Sequence, residues 1–166
     1  MATTYEPIAT TTLSTTAASI TFSSIGSGYT DLRIVCTGTV TVVLNPRIQF
    51  NSDTASNYSY SYINGNGASV NGNRAINTIG LLTVGNMDTT LPTMFTVDIF
   101  SYAGSTNKTA LSTYALDKNT TDGSGNVGRI VILWSNTAAI TSITLDTGGS
   151  TFKAGTTATL YGILKA

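Results

Sequence analysis

Apolar side chains return at every second position along most of this chain, and glycine or asparagine interrupts the alternation about every eight to twelve residues. An extended backbone sends successive side chains to opposite faces, so a period of two buries one face and leaves the other wet. Helical spacing is absent. The pattern predicts an all-β fold, an antiparallel jelly-roll-like β-sandwich in a single domain. Strands are expected near Ala18–Phe22, Leu32–Gly38, Val40–Leu44, Arg47–Phe50, Tyr58–Ile63, Ile79–Val84, Met94–Tyr102, Lys108–Ala115, Gly128–Trp134, Ile140–Asp146 and Thr157–Lys165. Phe95, Val97 and Ile99 alternate with Thr96 and Asp98, as a half-wet strand requires. The run Arg129–Trp134 is apolar at every position after its arginine, which predicts a place in the middle of a sheet.

The interruptions have a mechanism. Asn64-Gly65, Asn66-Gly67 and Asn71-Gly72 tolerate the positive φ of tight hairpin turns, and Asp122-Gly123-Ser124-Gly125-Asn126 reads the same way. Pro46 and Pro92 are expected at strand entrances or bulges, where a missing N–H costs no ladder hydrogen bond. No linker, charge block or internal repeat divides the 166 residues, and Thr10–Thr16 is the one low-complexity run. A chain of this length buries roughly 70% of its unfolded surface, enough for a core without disulfides or a structural metal. Residues 1–16 read as an N-terminal arm before a sandwich at 17–166. That arm is either a strand on the chain's own sheet edge or a segment lying on a neighbouring subunit.

Charged residues make up 10% of the chain, against a usual share of about a quarter. Threonine (32), serine (17) and asparagine (13) take their place, so hydroxyls and amides solvate the surface, and such a surface repels its own copies weakly. Four arginines and four lysines balance eight acids, which leaves no basic field for nucleic acid or for an anionic membrane. The start MATTYEPIATTTL has neither the basic end nor the apolar stretch of a signal peptide, and no run of about 18 apolar residues occurs. The expectation is a soluble protein made in a cytosol. Cys36, the lone cysteine, sits in an apolar run and reads as a small buried hydrophobe. Sequons at Asn57, Asn107 and Asn119 carry little weight without a secretory signal.

With no histidine, neither a Ser-His-Asp nor a Cys-His arrangement can be built, and the commonest zinc ligand is missing. Catalysis would fall to Glu6 and seven aspartates, most of them at expected turns where they bond local backbone. Asp98, within a strand, could join an opposing acid in a glycosidase dyad; an outward, solvated or salt-bridged position is the reading adopted. Asp117, Asn119, Thr121 and Asp122 gather oxygen atoms in one loop, but a helix–loop–helix calcium site would need glycine where Asp122 stands and an acid near Gly128. Gly26-Ser27-Gly28 lacks the following lysine and helix of a phosphate loop and reads as a turn. No catalytic residue, cofactor or metal ligand is assigned.

Aromatic residues are more informative. Tyr58, Tyr60 and Tyr62 recur every second residue, so one face of a strand carries all three rings. They suit the packed face of a sheet, a subunit interface or a sugar-stacking platform, the last normally needing nearby acids and amides to hold hydroxyls. Trp134 closes the most apolar strand and is expected in the core.

The segments YEPIATTTL (Tyr5–Leu13), SITFSSI (Ser19–Ile25), YTDLRIV (Tyr29–Val35), NYSYSYINGNG (Asn57–Gly67), MFTVDIFSYAGSTNKT (Met94–Thr109), WSNTAAITSITL (Trp134–Leu145) and FKAGTTATLYGILK (Phe152–Lys165) resemble a recurrent group of virion structural proteins of tailed bacteriophages. The likeness spans essentially the whole chain, in pieces that carry fold rather than chemistry. It implies a jelly-roll or related sandwich that is a particle component: a head decoration (cement) protein, or a tail or fibre module. Such proteins are commonly trimeric, and no shaft repeat or coiled-coil heptad accompanies the chain. The expected role is a non-enzymatic homotrimer on the capsid surface, bridging major capsid subunits, with several modest contacts acting together. In that picture Met1–Thr16 is a clamp with Tyr5 and Ile8 as its apolar anchors, and the Tyr58, Tyr60 and Tyr62 face is a trimer contact. The alternative is a tail or fibre module that binds host-surface carbohydrate.

Overall fold

A computed structural model describes residues 4–78, 82–83, 85–118 and 125–164. Twelve strands form among them: β1 (Tyr5–Thr12), β2 (Ser19–Phe22), β3 (Asp31–Gly38), β4 (Arg47–Phe50), β5 (Tyr58–Gly65), β6 (Val70–Thr78), β7 (Leu82–Thr83), β8 (Thr93–Phe100), β9 (Lys108–Leu116), β10 (Asn126–Trp134), β11 (Ile143–Asp146) and β12 (Thr157–Ile163). The large sheet runs β1-β12-β3-β8-β9-β10-β5-β6 and the small one β2-β11-β4-β7. Every described strand pairing is antiparallel.

This order resolves into a jelly roll with two insertions. Removing β5, β6, β9 and β10 leaves β1-β12-β3-β8 against β2-β11-β4-β7, the interleaved double Greek key of that fold. The hairpin β5–β6 lies between β4 and β7 in sequence, and β9–β10 between β8 and β11. Both hairpins join the same edge of the large sheet, with β10 pairing to β5, and widen it to eight strands.

Alternation decides the core. Leu32, Ile34 and Cys36 from β3, Phe95, Val97 and Ile99 from β8, and Ala158 and Leu160 from β12 meet Ile20 and Phe22, Ile48 and Phe50, and Ile143 and Leu145 from the small sheet in one buried cluster. Burial alone pushes the Cys36 thiol up to about 12, so it is an inert thiol inside the sandwich. The inserted hairpins add Tyr58, Ile130, Ile132 and Trp134 to the same cluster. Phe50 and Trp134 bring the sheets together with ring centroids 5.6 Å apart. The indole N–H of Trp134 donates to Asp53 Oδ2 at 2.7 Å, which satisfies its buried polar atom. Lys108 is buried as well. Its ammonium donates to the carbonyls of Gly104, Thr106 and Thr137, so its charge is shared among backbone dipoles, and burial lowers its pKa.

Several sequence expectations are corrected. Val40–Leu44 makes no strand; Val40 and Leu44 form single bridges to Phe152 and Met87, and Val42 hangs from the Ser150 hydroxyl by its N–H. Asn71-Gly72 is not a turn but lies inside β6, an edge strand whose polar residues face solvent. The turn before it is at Asn66-Gly67, where Gly67 has φ +87° and Asn66 Oδ1 accepts from the N–H groups of Ala68 and Ser69. Asn64 and Gly65 belong to β5. The strand expected at Ile140–Asp146 starts at Ile143. Of the strand expected at Ile79–Val84 only β7 is described, and the Asp122–Asn126 turn and the oxygen-rich loop at 117–122 lie mostly outside the described residues. Pro46 and Pro92 directly precede β4 and β8 as expected.

Candidate functional site

The N-terminal segment is a strand of the chain's own sheet. β1 pairs with β12 from Tyr5↔Ile163 to Thr12↔Thr157, with a register shift between Pro7 and Ala9 where the edge accommodates proline. Ile8 packs against the core cluster, and Tyr5 remains 45% exposed. A cross-strand network holds Tyr5. Arg33 on β3 is bidentate to its register partner Asp98 on β8 and donates through Nη1 to the Tyr5 hydroxyl at 3.1 Å, with its guanidinium 5.6 Å from the Tyr5 ring centroid. Asp98 is thus an outward, ion-paired aspartate. Beside it, threonine hydroxyls pair across strands at Thr10–Thr159 and Thr12–Thr157.

Tyr58, Tyr60 and Tyr62 do share one face of β5, the inner one, and their fates differ along it. Tyr58 is 1% exposed, stacked near Phe50 and Trp134, and its hydroxyl donates to the Phe50 carbonyl. It offers nothing to a partner. Tyr60 and Tyr62 are half-buried, stacked on each other with centroids 6.3 Å apart, and line a cavity of about 240 Å³ beneath the inserted hairpins. Tyr114 on β9 closes one side; its phenol lies across Gly128, where any Cβ would sit 2.5 Å from the phenol oxygen. Burial raises the Tyr114 pKa against a hydrogen bond from the Asn64 amide.

The opposite face of the same hairpins was not foreseen as a site. β10 sits in the middle of the large sheet, as its composition predicts, and buries Ile130, Ile132 and Trp134. Its other face, however, is bare: Val127, Val131 and Leu133 are 59%, 49% and 36% exposed. Register extends this patch across β5 and β6. Val127 stands beside Gly65 and then Val70, Arg129 beside Ile63, and Ile76 is also exposed. Double-faced hydrophobicity in the sequence is the signal: it marks a strand inside a sheet and equally an outer face that needs a cover.

One buried carboxylate also stands out. Asp88, on the loop before β8, accepts from Thr90 N, Thr90 Oγ1 and Leu91 N and pairs with Lys118 at 2.7 Å. Burial acts to raise its pKa, but these donors outweigh it and hold Asp88 well below the ordinary carboxylate range. Its partners are turn backbone and one lysine, which makes it a loop clamp. Among the described residues no three His, Cys, Asp or Glu side chains gather as metal ligands, and no helix is long and apolar enough to cross a membrane. No protein-family model, curated protein or solved structure matches the chain.

Proposed function

We propose that this chain is a non-enzymatic structural component of a tailed-phage virion, a trimeric decoration protein that bridges major capsid subunits. The observation that carries the association is the bare apolar face of β10, β5 and β6. Side chains that would suit a buried strand stand in water there, and contiguous exposed apolar patches on soluble proteins mark contacts with other proteins. Copies of the chain cover this face for each other. Arg129 and Arg74 are exposed on the same strands, Arg129 between Val127 and Val131 on β10 and Arg74 beside Ser61 on β5. The resemblance of the seven quoted segments to virion proteins supplies the particle, and the hydroxyl-rich neutral exterior supports dense packing of copies.

Counting the protein against the major shell subunit in purified particles tests the role. Hundreds of copies per particle, with particles lacking it losing DNA on heating or chelation, is the expected result. A few copies per particle, with adsorption rather than head stability lost on its removal, would replace this reading with a tail or fibre role.

A further inference from the structure

Gly65 is a glycine that the protomer itself does not require. It stands in the ladder between Val127 and Val70, its φ is not positive, and a Cβ there would meet nothing nearer than the Ser69 carbonyl oxygen at 3.5 Å, an ordinary contact. Gly67 needs its φ of +87° and Gly128 lies under the Tyr114 phenol, so those two lack side chains for reasons inside the chain. At Gly65 the missing side chain instead leaves an open groove of about 450 Å³ on the outer face, lined by Ile63, Val70, Val127 and Arg129. Glycine within a ladder weakens it, and one use is to let another chain approach closely. A second apolar feature also stands in water. Val42 and Val43 are 59% and 49% exposed, in a connection bolted down on both sides: Val40 and Leu44 bridge to Phe152 and Met87, Thr41 N–H donates to the Thr151 carbonyl, and Val42 N–H to Ser150 Oγ. Apolar side chains scattered singly on a surface are ordinary, but here a fixed backbone holds two neighbours out together.

From the groove at Gly65 and the projecting valine pair, we infer that copies of this chain associate head to tail, with the Val42–Val43 loop of one copy seated in the Gly65 groove of the next. This rests on the assembly reading above and names the two surfaces that meet. The loop does not fill its own groove: Asn45, two residues on, lines the cavity on the inner side of β5, whereas Ile63 and Gly65 open the groove on the outer side. Symmetry favours the unlike contact, because a like-on-like contact pairs two copies while a closed ring of three joins two different surfaces. Charge favours it as well. β10, β5 and β6 carry Arg129 and Arg74 and no acid, and neither arginine makes an ion pair with a described residue. Stacking this face on its own copy would gather guanidiniums from both sides with no carboxylate on those strands to meet them. Residues 39–45 carry no charge and bring peptide carbonyls, which accept from Arg129 at the side of the groove.

Cysteine cross-linking of the full chain tests it. Val43→Cys and Ile63→Cys, made separately and mixed under mild oxidation, should join in disulfide-linked pairs, and neither alone should link; the interior Cys36 stays out of the reaction. Gly65→Val should weaken association at least about tenfold with Tm unchanged, because it fills the groove, whereas added apolar area would strengthen a flat contact. Val43→Asp, in an exposed loop, should weaken association as much from the other side. Linking of Ile63→Cys with itself, a wild-type trimer whose mixed variants fail to link, or undiminished association in Val43→Asp would overturn the inference and leave the trimer standing. So would tighter association of Gly65→Val. Mixed linking in a wild-type chain that grows past three copies would keep the head-to-tail contact and overturn the closed trimer instead. A wild-type chain monomeric at every concentration would overturn both.

Discussion

The outer face of the large sheet is finished in two different ways. Over β1, β12, β3 and β8 it is mostly polar, with threonine pairs, the Arg33–Asp98 fork and Tyr5 lodged against Arg33, and its exposed Met94 and Phe100 lie near the two ends of β8. Over β10, β5 and β6 it exposes Val127, Val131, Leu133, Ile63, Val70 and Ile76, interrupted by Arg129, Ser61 and Arg74. Both halves belong to one antiparallel ladder and cover one core, so folding of the single chain does not require the difference. A strand with one wet face needs apolar residues on the other face only. Valine and leucine on the wet side are useful to the fold only when something else covers them, and this is why the widened half, rather than the jelly-roll half, carries the assembly proposal.

The sharpest way to break this comparison uses neighbours in one strand. Trp134→Ala, on the inner face of β10, should cost about 3–5 kcal/mol by urea denaturation, since it opens a cavity and leaves Asp53 without its indole donor. Leu133→Ala, one residue away on the outer face, should cost the isolated protomer less than about 1 kcal/mol. Equal losses would mean the outer face is already packed within one chain.

Val131→Glu places a carboxylate in the bare face. Sedimentation should show a trimer becoming a monomer, with association weakened at least about 100-fold and the β circular dichroism retained. A wild-type chain that stays monomeric at every concentration would remove the contrast between the halves.

Acid should act on the fold through Asp88. Its folded pKa lies below the unfolded value of 3.8, so its contribution to stability is fully present above that value and is lost as pH falls through the acid range. Tm measured between pH 5 and pH 2 should drop, and Asp88→Asn should start lower at pH 5 and fall less steeply. On the polar half the expected effects are smaller. A double-mutant cycle on Arg33 and Asp98 should return about 0.5–1 kcal/mol, because both side chains are part-exposed. Thr159→Val, which loses one hydroxyl pair to Thr10, should change stability by less than about 0.5 kcal/mol.

How much of this was legible follows the same physics. β3, β8 and β9 were readable to within about two residues because burial on one face writes itself into every second position, and β10 was readable as closely from its unbroken apolar run. β6 was not, since a solvent-facing edge strand with Asn71, Gly72 and Asn73 has no apolar period to read and imitates a turn. Of the proposed anchors, Tyr5 and Ile8 were placed on a strand whose pairing to β12 involves residues some 150 positions away. The tyrosine stripe was legible as a stripe, but not its division into a core residue, Tyr58, and two cavity residues, Tyr60 and Tyr62.

The residues alone determined that this is a β-sandwich, that Cys36 is interior, and that β10 is central, because each of these depends only on local periodicity and on the free energy of moving apolar groups out of water. Tertiary structure decided which face of β10 remains bare and which asparagines meet beneath the tyrosines. Those outcomes depend on where two inserted hairpins dock. Docking is fixed by pairing between distant strands, a long-range property that no window of neighbouring residues contains.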